Sequence, residues 1–176
     1  MRIYFIRHGQ TNYNVKNLCN NDPKKKVYLT KLGKREIEDV ARKLKNKNID
    51  IIFVSQLPRT IQSAKIINKF HAAPIKIDSR INDRRTGFEG KPYFEYVEAI
   101  EKDKFYSKFN DGESFQEEKR RIFSFLMDLK KLNFECVLVV THEETIKISL
   151  GYFNRLSNEE MWNIKVANAQ IFELKI

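Results

Sequence analysis

The chain has few of the residues that mark disulfide-rich, linker-rich or membrane-spanning proteins. Its 176 residues include two cysteines, six glycines and four prolines, and no apolar run approaches the roughly 20 residues that cross a bilayer. Cys19 and Cys136 lack the spacing of a metal or redox site, so we expect two free thiols in a reducing cytoplasm. Because the N-terminal residues lead straight into an apolar segment, no signal peptide is expected.

The absence of any segment rich in proline, glycine or serine, and of any internal repeat, predicts one domain over residues 1–176. The net charge of +10 is spread along the chain, and Lys24-Lys25-Lys26 is its densest run. This pattern favours a general attraction for small anionic substrates over a nucleic-acid partner. Because no apolar run is long enough to cross a bilayer, no membrane partner is predicted. The sequence carries no signal of oligomeric state.

Short apolar runs that alternate with helical patterns indicate a layered α/β domain. Strands are predicted at residues 3–6, 51–55, 75–77, 136–141 and 171–174. The run over 136–140 is continuously apolar, which is typical of a strand covered on both faces. The predicted fold is therefore α/β, with a mostly parallel central sheet and helices on both faces.

Helices are predicted after Thr30, over residues 59–70, after Ser114 and over residues 145–152. Ser114 is followed three residues later by Glu117, which is the pattern of a capping box. The helix after Ser114 is expected to bury a stripe made of Ile122, Leu126, Leu129 and either Leu132 or Phe125. Residues 91–110 are predicted to be helical only in part, and residues 91–112 to form a lid-like insertion.

Four polar side chains follow the ends of predicted strands. Arg7 and His8 follow the first, Arg59 follows the second, and His142 follows the fourth. Because the carboxyl ends of parallel strands share one edge of a sheet, we expect these side chains to meet. An imidazole can attack phosphorus and a guanidinium can grip two phosphate oxygens, while Asn14 offers a neutral amide.

These residues also allow structural interpretations. A single histidine at a strand end is more often structural than catalytic, but a second histidine and two arginines nearby favour chemistry. His71 lies in a helix-to-strand connection without such neighbours. A zinc site made from the three histidines is disfavoured, because they lack ligand spacing and the arginines would repel a cation. No metal or cofactor is therefore predicted.

Six ordered blocks, which together span nearly the whole chain, carry a resemblance to a known family. They are Arg7-His8-Gly9-Gln10-Thr11 with Asn14, Leu29-Thr30-Lys31-Leu32-Gly33, Ser55-Gln56-Leu57-Pro58-Arg59-Thr60-Ile61-Gln62-Ser63-Ala64, Gly87-Phe88-Glu89-Gly90, Gly112-Glu113-Ser114 and Val140-Thr141-His142. On these blocks the chain resembles the histidine phosphatase superfamily, which includes the cofactor-dependent phosphoglycerate mutases.

The resemblance implies roles for particular residues. It implies a phosphohistidine on His8. It also implies that Arg7, Asn14, Arg59 and His142 hold the phosphoryl group, with the help of the backbone amide of Glu143 and without a metal.

Two positions depart from the family pattern. Asp83 stands where the family usually has a glutamate proton donor, four residues before Gly87. We predict that Asp83 is the donor; the alternative is that it caps a turn and that Glu89 or Glu143 donates. Glu143 stands where relatives often have glycine, and we expect its side chain to turn away at the start of a helix, where an acid is favoured. An inward Glu143 would instead act as an acid or contact a substrate cation.

The chain is short between Gly90 and Gly112, with only about twenty residues to cover the site. Mutases of this family are longer and close over their intermediate, so a short cover favours attack by water. The predicted function is that of a histidine acid-type phosphatase acting on small phosphate monoesters. Two alternatives remain: a cofactor-dependent phosphoglycerate mutase, and a catalytically weak phosphate- or RNA-binding regulator.

Overall fold

The computed structural model describes all residues from Met1 to Ile176. The chain forms five strands, namely β1 (Arg2–Arg7), β2 (Ile51–Val54), β3 (Ile75–Ile77), β4 (Cys136–Thr141) and β5 (Ile171–Lys175). It forms seven α-helices, namely α1 (Asn12–Lys16), α2 (Lys31–Leu44), α3 (Pro58–Ile67), α4 (Tyr93–Ala99), α5 (Phe115–Leu129), α6 (Glu143–Asn154) and α7 (Asn158–Asn163). Single 3₁₀ turns lie at Asn68–Phe70 and Ser79–Ile81. None of the helices combines the length and apolar character needed to cross a membrane.

The strands form one sheet in the order β3-β2-β4-β1-β5. The first four are parallel, and β5 pairs with β1 in the antiparallel direction. The predicted α/β fold with a mostly parallel sheet is confirmed. All six residues of β4 are buried, because β4 lies between β1 and β2 and is covered on both faces.

Two hydrophobic cores cover the two faces of the sheet. Side chains alternate along a strand, so Ile3 and Phe5 enter one core while Tyr4 and Ile6 enter the other. The first core is completed by apolar residues of α5, α6 and α7, and the second by those of α2 and α3. Helices on both faces were predicted and are found.

The predicted elements agree with the structure to within a few residues where the sequence carries a clear signal. Thr30 and Ser114 are the N-caps of α2 and α5, and Ser114 forms its capping box with Glu117. The helix predicted over 59–70 ends at Ile67 and continues as a 3₁₀ turn. In the stripe of α5, Phe125 is buried and Leu132 is exposed. Two short helices, α1 and α7, were not predicted.

Two glycines allow the start of α2 to pack against the chain that follows β1. A Cβ atom on Gly33 would lie 2.0 Å from the carbonyl oxygen of Gln10, and one on Gly9 would lie 2.3 Å from the carbonyl oxygen of Gly33. The Gln10 carbonyl accepts a hydrogen bond from the Thr30 amide at 2.9 Å. This contact fixes the segment that directly follows His8.

We therefore expect Gly33→Ala to destabilise the fold, although alanine is the better helix former. The helix-propensity gain is about 1 kcal/mol, whereas forcing a methyl group into a packed backbone contact costs roughly 1–3 kcal/mol. Urea unfolding should give a lower midpoint than for the wild type. Lys34→Ala, at an exposed position of the same turn, is the control and should leave the midpoint nearly unchanged. A higher midpoint for Gly33→Ala would contradict the close contact.

Candidate active site

Most of the predicted site residues line one cavity of about 500 Å³ at the carboxyl edge of the sheet. Those that line it are Arg7, His8, Asn14, Arg59, Asp83 and Glu143. His142 is buried beside the cavity without lining it, and its ring centroid lies 5.3 Å from that of His8. His71 lies elsewhere, at the far end of α3 from Arg59. The convergence predicted from the strand ends is thus present in the fold.

His8 directly follows β1 and is held in one orientation. Its Nδ1 lies 2.8 Å from the carbonyl oxygen of Gly9. Because a carbonyl only accepts, Nδ1 carries the proton and Nε2 keeps its lone pair. Burial lowers the pKa of His8 well below its usual value of 6.5, and the charge of Arg59 lowers it further. These two observations favour a neutral imidazole whose Nε2 is an acceptor.

Arg59 lies in the first turn of α3 and is only 3% exposed. Its Nε donates to Nε2 of His8 at 3.0 Å. Its Nη1 donates to the side chain of Asn20 at 2.5 Å, and its Nη2 donates to the carbonyl of Asn20 at 3.1 Å and to Asp83 at 2.8 Å. The guanidinium therefore joins the nucleophile candidate, the loop of Asn20 and the predicted proton donor.

His142 is fixed from the opposite side by Ser55. The Nε2 of His142 lies 2.8 Å from the Ser55 hydroxyl, while its Nδ1 is buried and has no hydrogen-bond partner. When Ser55 donates to Nε2, the neutral ring carries its proton on Nδ1. Burial lowers the pKa of His142 well below 6.5, and the charge of Arg59 lowers it further. A neutral His142 with a free Nδ1–H would offer one unused donor.

Arg7 supplies a second unused donor. Its Nη1 donates to the carbonyl of Val166 at 2.5 Å and to the Glu143 carboxylate at 2.8 Å. Its Nε is buried and has no partner. Buried polar groups are nearly always paired in folded proteins, so an unpaired one beside a cavity is a candidate contact for a ligand. Arg7 directly precedes His8 at the end of β1, and His142 lies beside His8 at the end of β4, so both nitrogens belong to neighbours of His8.

The expectation that the Glu143 side chain turns away is wrong. Its carboxylate lines the cavity and pairs with Arg7 at 2.8 Å and with Lys147 at 2.9 Å. The two cations pair with the carboxylate from both sides, while part of the side chain stays exposed to solvent. The backbone amide of Glu143 stands at the start of α6, where the N-cap residue His142 makes no side-chain cap. That amide remains available as a donor.

Asp83 and Glu89, two of the predicted proton donors, have different positions and different hydrogen-bond partners. Asp83 lines the cavity, and its Oδ2 lies 2.8 Å from Arg59 and 3.7 Å from Nδ1 of His142. Glu89 does not line the cavity. Its carboxylate accepts hydrogen bonds from the Asn20 side chain and from the backbone amides of Asn21 and Asp22. Glu89 therefore shapes the loop that contacts Arg59.

Asn14 is placed as a donor rather than an acceptor. Its Oδ1 accepts from the backbone amide and from the hydroxyl of Thr11, both at 2.9 Å, within the capping box of α1. The side-chain NH₂ group is thus left for the cavity that Asn14 lines. This orientation matches the amide role that the resemblance implies.

Sequence reasoning missed several residues of the site. Ser55 directly follows β2 and opens the block Ser55–Ala64 that resembles the family. The sequence could therefore have indicated it as a site residue. Asn20 contacts Arg59 from a loop without a local pattern, and nothing nearby in the sequence indicates it. Glu144 and Lys147 also line the cavity and are joined at 2.8 Å.

Buried ion pairs extend from the cavity wall into the core. Arg84 donates to Glu118 at 2.6 Å, to Glu144 at 3.0 Å and to the Tyr96 hydroxyl at 2.7 Å. Glu118 is fully buried, and burial raises its pKa to about 7 against the opposing attraction of Arg84 and Arg121. This network holds α5, α6 and the segment after Asp83 together under the cavity.

Comparisons with known proteins agree with this geometry. A family model described as the histidine phosphatase superfamily (branch 1) matches residues 3–176. A Hydrogenobacter thermophilus protein named "Putative phosphoserine phosphatase 2" is 30% identical over 98% of this chain and 88% of its own. Rat 6-phosphofructo-2-kinase/fructose-2,6-bisphosphatase 3 is 30% identical over 93% of this chain but only 29% of its own.

The fold likeness extends to solved structures. The α-ribazole phosphatase of Shigella flexneri superposes with a TM-score of 0.92 at 22% identity, covering 100% of this chain and 91% of that one. The family model, in turn, covers nearly the whole sequence. The chain therefore belongs to the histidine phosphatase superfamily, branch 1, and is a phosphomonoesterase.

Proposed function

We propose that His8 carries the phosphoryl group during the hydrolysis of small phosphate monoesters. The observation that supports this most directly is a pair of buried nitrogens without hydrogen-bond partners, Arg7 Nε and His142 Nδ1, on residues close to His8. Phosphate oxygens are the acceptors that an arginine and an imidazole N–H bind well. The side-chain amide of Asn14 and the backbone amide of Glu143 would complete the set.

In the first step, the lone pair of His8 Nε2 attacks phosphorus and the bond from phosphorus to the leaving oxygen breaks. Once the substrate has drawn Arg59 from its ion pair with Asp83, the carboxylate takes up a proton from water and gives it to the leaving oxygen, and the alcohol departs. In the free protein, Arg59 Nε donates to the same lone pair at 3.0 Å. A charged phosphate oxygen is the stronger acceptor, so a bound substrate would draw this N–H away and free the nucleophile.

In the second step, water attacks phosphohistidine, Asp83 accepts a proton from that water, and phosphate leaves with His8 restored. The distribution of exposed aromatic residues favours water as the acceptor. Tyr93, Phe94 and Tyr106 in the proposed lid-like insertion 91–112 are 42%, 55% and 68% exposed, so the cover over the site is thin. This supports hydrolysis over transfer back to a second substrate hydroxyl.

The substrate we propose is a small monophosphate with an organic part of modest size. The cavity of about 500 Å³ leaves room beyond a phosphate group, and rings of Tyr13, Tyr93 and Trp162 line it with Lys165. Phosphoserine, fructose 2,6-bisphosphate and α-ribazole phosphate, taken from the names of the relatives, form the first assay panel with 3-phosphoglycerate. Release of free phosphate faster than isomerisation of 3-phosphoglycerate would support the phosphatase over the mutase.

We also propose that catalysis is metal-independent and takes place in the cytoplasm. Arg7 and Arg59 provide the positive charge on phosphate that a metal ion supplies in other enzymes, and they would repel a cation. Cys19 and Cys136 are both free and buried, which suits a reducing compartment. Activity retained at full strength after exhaustive chelation would support the first of these points.

His8→Ala should abolish hydrolysis of an aryl phosphate, because the variant lacks the imidazole that attacks phosphorus. We expect kcat to fall by at least about a thousandfold. His71→Ala is the matched control, and it should keep wild-type kcat because His71 lies outside the cavity. Rapid acid-sensitive ³²P labelling of the wild type, absent in His8→Ala, would locate the intermediate. Undiminished hydrolysis or labelling in His8→Ala would overturn the assignment.

Asp83→Asn should slow alkyl phosphates far more than aryl phosphates, because an alkoxide needs a proton to leave and a nitrophenolate does not. The expected loss in kcat is about 10²–10⁴-fold for an alkyl ester, and less than about tenfold for p-nitrophenyl phosphate. Glu89→Gln tests the alternative donor and should lack this leaving-group dependence. If Glu89→Gln shows the dependence and Asp83→Asn does not, Glu89 is the donor.

The low pKa of His8 should be visible as a neutral ring at mildly acidic pH. In ¹⁵N-labelled protein, we expect the His71 ring, whose pKa is lowered to a smaller extent by burial, to become protonated first as the pH falls. His8 should keep the neutral pattern with the proton on Nδ1 until the pH is well below 6.5. Protonation removes the lone pair, so kcat/KM should persist at pH 6.5 and fall only at lower pH. A His8 signal that titrates at or above 6.5 would contradict this.

A further inference from the structure

The segment that carries Asp83 has no regular secondary structure of its own. It begins after the 3₁₀ turn Ser79–Ile81, and no helix or strand follows until α4 begins at Tyr93. A proton donor must stay within a fraction of an ångström of its productive position, and a misplacement of about 1 Å can cost a hundredfold in rate. Something outside this segment has to hold it.

Arg121 on α5 holds this segment through hydrogen bonds to its backbone. Its Nη1 donates to the carbonyl oxygens of Arg80 at 2.7 Å and of Asn82 at 2.9 Å. Its Nη2 donates to the carbonyl oxygen of Asp83 itself at 3.3 Å. One guanidinium thus binds three carbonyl groups within four consecutive residues, which an ammonium could not do in the same planar geometry.

Glu113 completes the arrangement from the other side. Its carboxylate accepts from Arg121 Nε at 2.9 Å and from Nη2 at 2.6 Å, so every N–H of the guanidinium has an acceptor. Glu113 also accepts from the backbone amide of Arg85 at 3.1 Å, and its own amide donates to the carbonyl of Arg85 at 2.6 Å. A Cβ on the preceding Gly112 would lie 2.6 Å from that carbonyl.

We propose that Arg121 and Glu113 form a positioning clamp that sets the place of the Asp83 carboxyl and thereby the rate of leaving-group protonation. Neither residue lines the cavity, so both act through Asp83 and not on the substrate. The clamp grips the backbone on both sides of Asp83, at residues 80–83 and at residue 85. The inference rests on the proposed role of Asp83 as proton donor, and it gives the Gly112-Glu113-Ser114 block a function.

The test is Arg121→Lys, which keeps the charge and removes the planar fork. We expect kcat for an alkyl phosphate to fall by about tenfold or more while p-nitrophenyl phosphate is hydrolysed within about threefold of the wild-type rate. KM should change little for either substrate, because the phosphate donors are untouched. Arg120→Lys, at the neighbouring exposed position, is the matched control and should behave as wild type.

The double variant Asp83→Asn/Arg121→Lys separates positioning from general damage. If Arg121 acts only through Asp83, adding Arg121→Lys to Asp83→Asn causes no further loss on the alkyl ester. Equal losses on both esters, or an additive loss in the double variant, would overturn the clamp. Failure of Asp83→Asn alone to distinguish the esters would instead refute the donor assignment on which the clamp rests.

A second variant guards against a folding defect. Glu113→Gln keeps a carbonyl oxygen for the guanidinium and loses the charge, so a smaller loss with the same leaving-group dependence is expected. The melting temperature of each variant is measured alongside. If Arg121→Lys does not fold, a Glu113→Gln protein that folds and treats both esters as the wild type does would overturn the proposal.

Discussion

The buried guanidinium of Arg59 is the group on which the arrangement of the site depends. A cation that is only 3% exposed is costly to bury unless acceptors surround it. Its acceptors come from three separate parts of the chain, namely His8 after β1, Asn20 in the following loop and Asp83 after β3. Glu89 folds the Asn20 loop into contact range by accepting two of its backbone amides. Satisfying this one charge brings the nucleophile and the predicted acid together before any substrate arrives.

Along the wall of the cavity, side chains of opposite charge alternate and pair with one another. Arg7, Glu143, Lys147, Glu144 and Arg84 form a continuous chain of ion pairs along the start of α6. These ion pairs occupy most of the hydrogen-bond donors along the cavity wall. Nitrogens that remain unpaired there are therefore informative. Arg7 Nε and His142 Nδ1 stay unpaired although both are buried. A phosphate dianion is a ligand that would satisfy both nitrogens together with the free Asn14 amide.

The fold was predictable where a local pattern is strong. The continuous apolar run of β4 indicated a strand covered on both faces, and the Ser114–Glu117 capping box indicated the start of α5; both are confirmed. The helices α1 and α7 have five and six residues, so neither is long enough for a clear periodic pattern. The inward turn of Glu143 escaped prediction because it depends on Arg7, which is remote in sequence.

The sequence by itself determined which residues could meet: Arg7, His8, Arg59 and His142 follow strand ends, and parallel strands present those ends at one edge. Only the tertiary structure decided what each can do there. The pKa of His8 is lowered by its burial beside cations, His142 is held by the Ser55 hydroxyl, and the place of Asp83 is set by Arg121. These properties depend on solvent exclusion and on pairs of groups that are distant along the chain. No local pattern of residues can encode them.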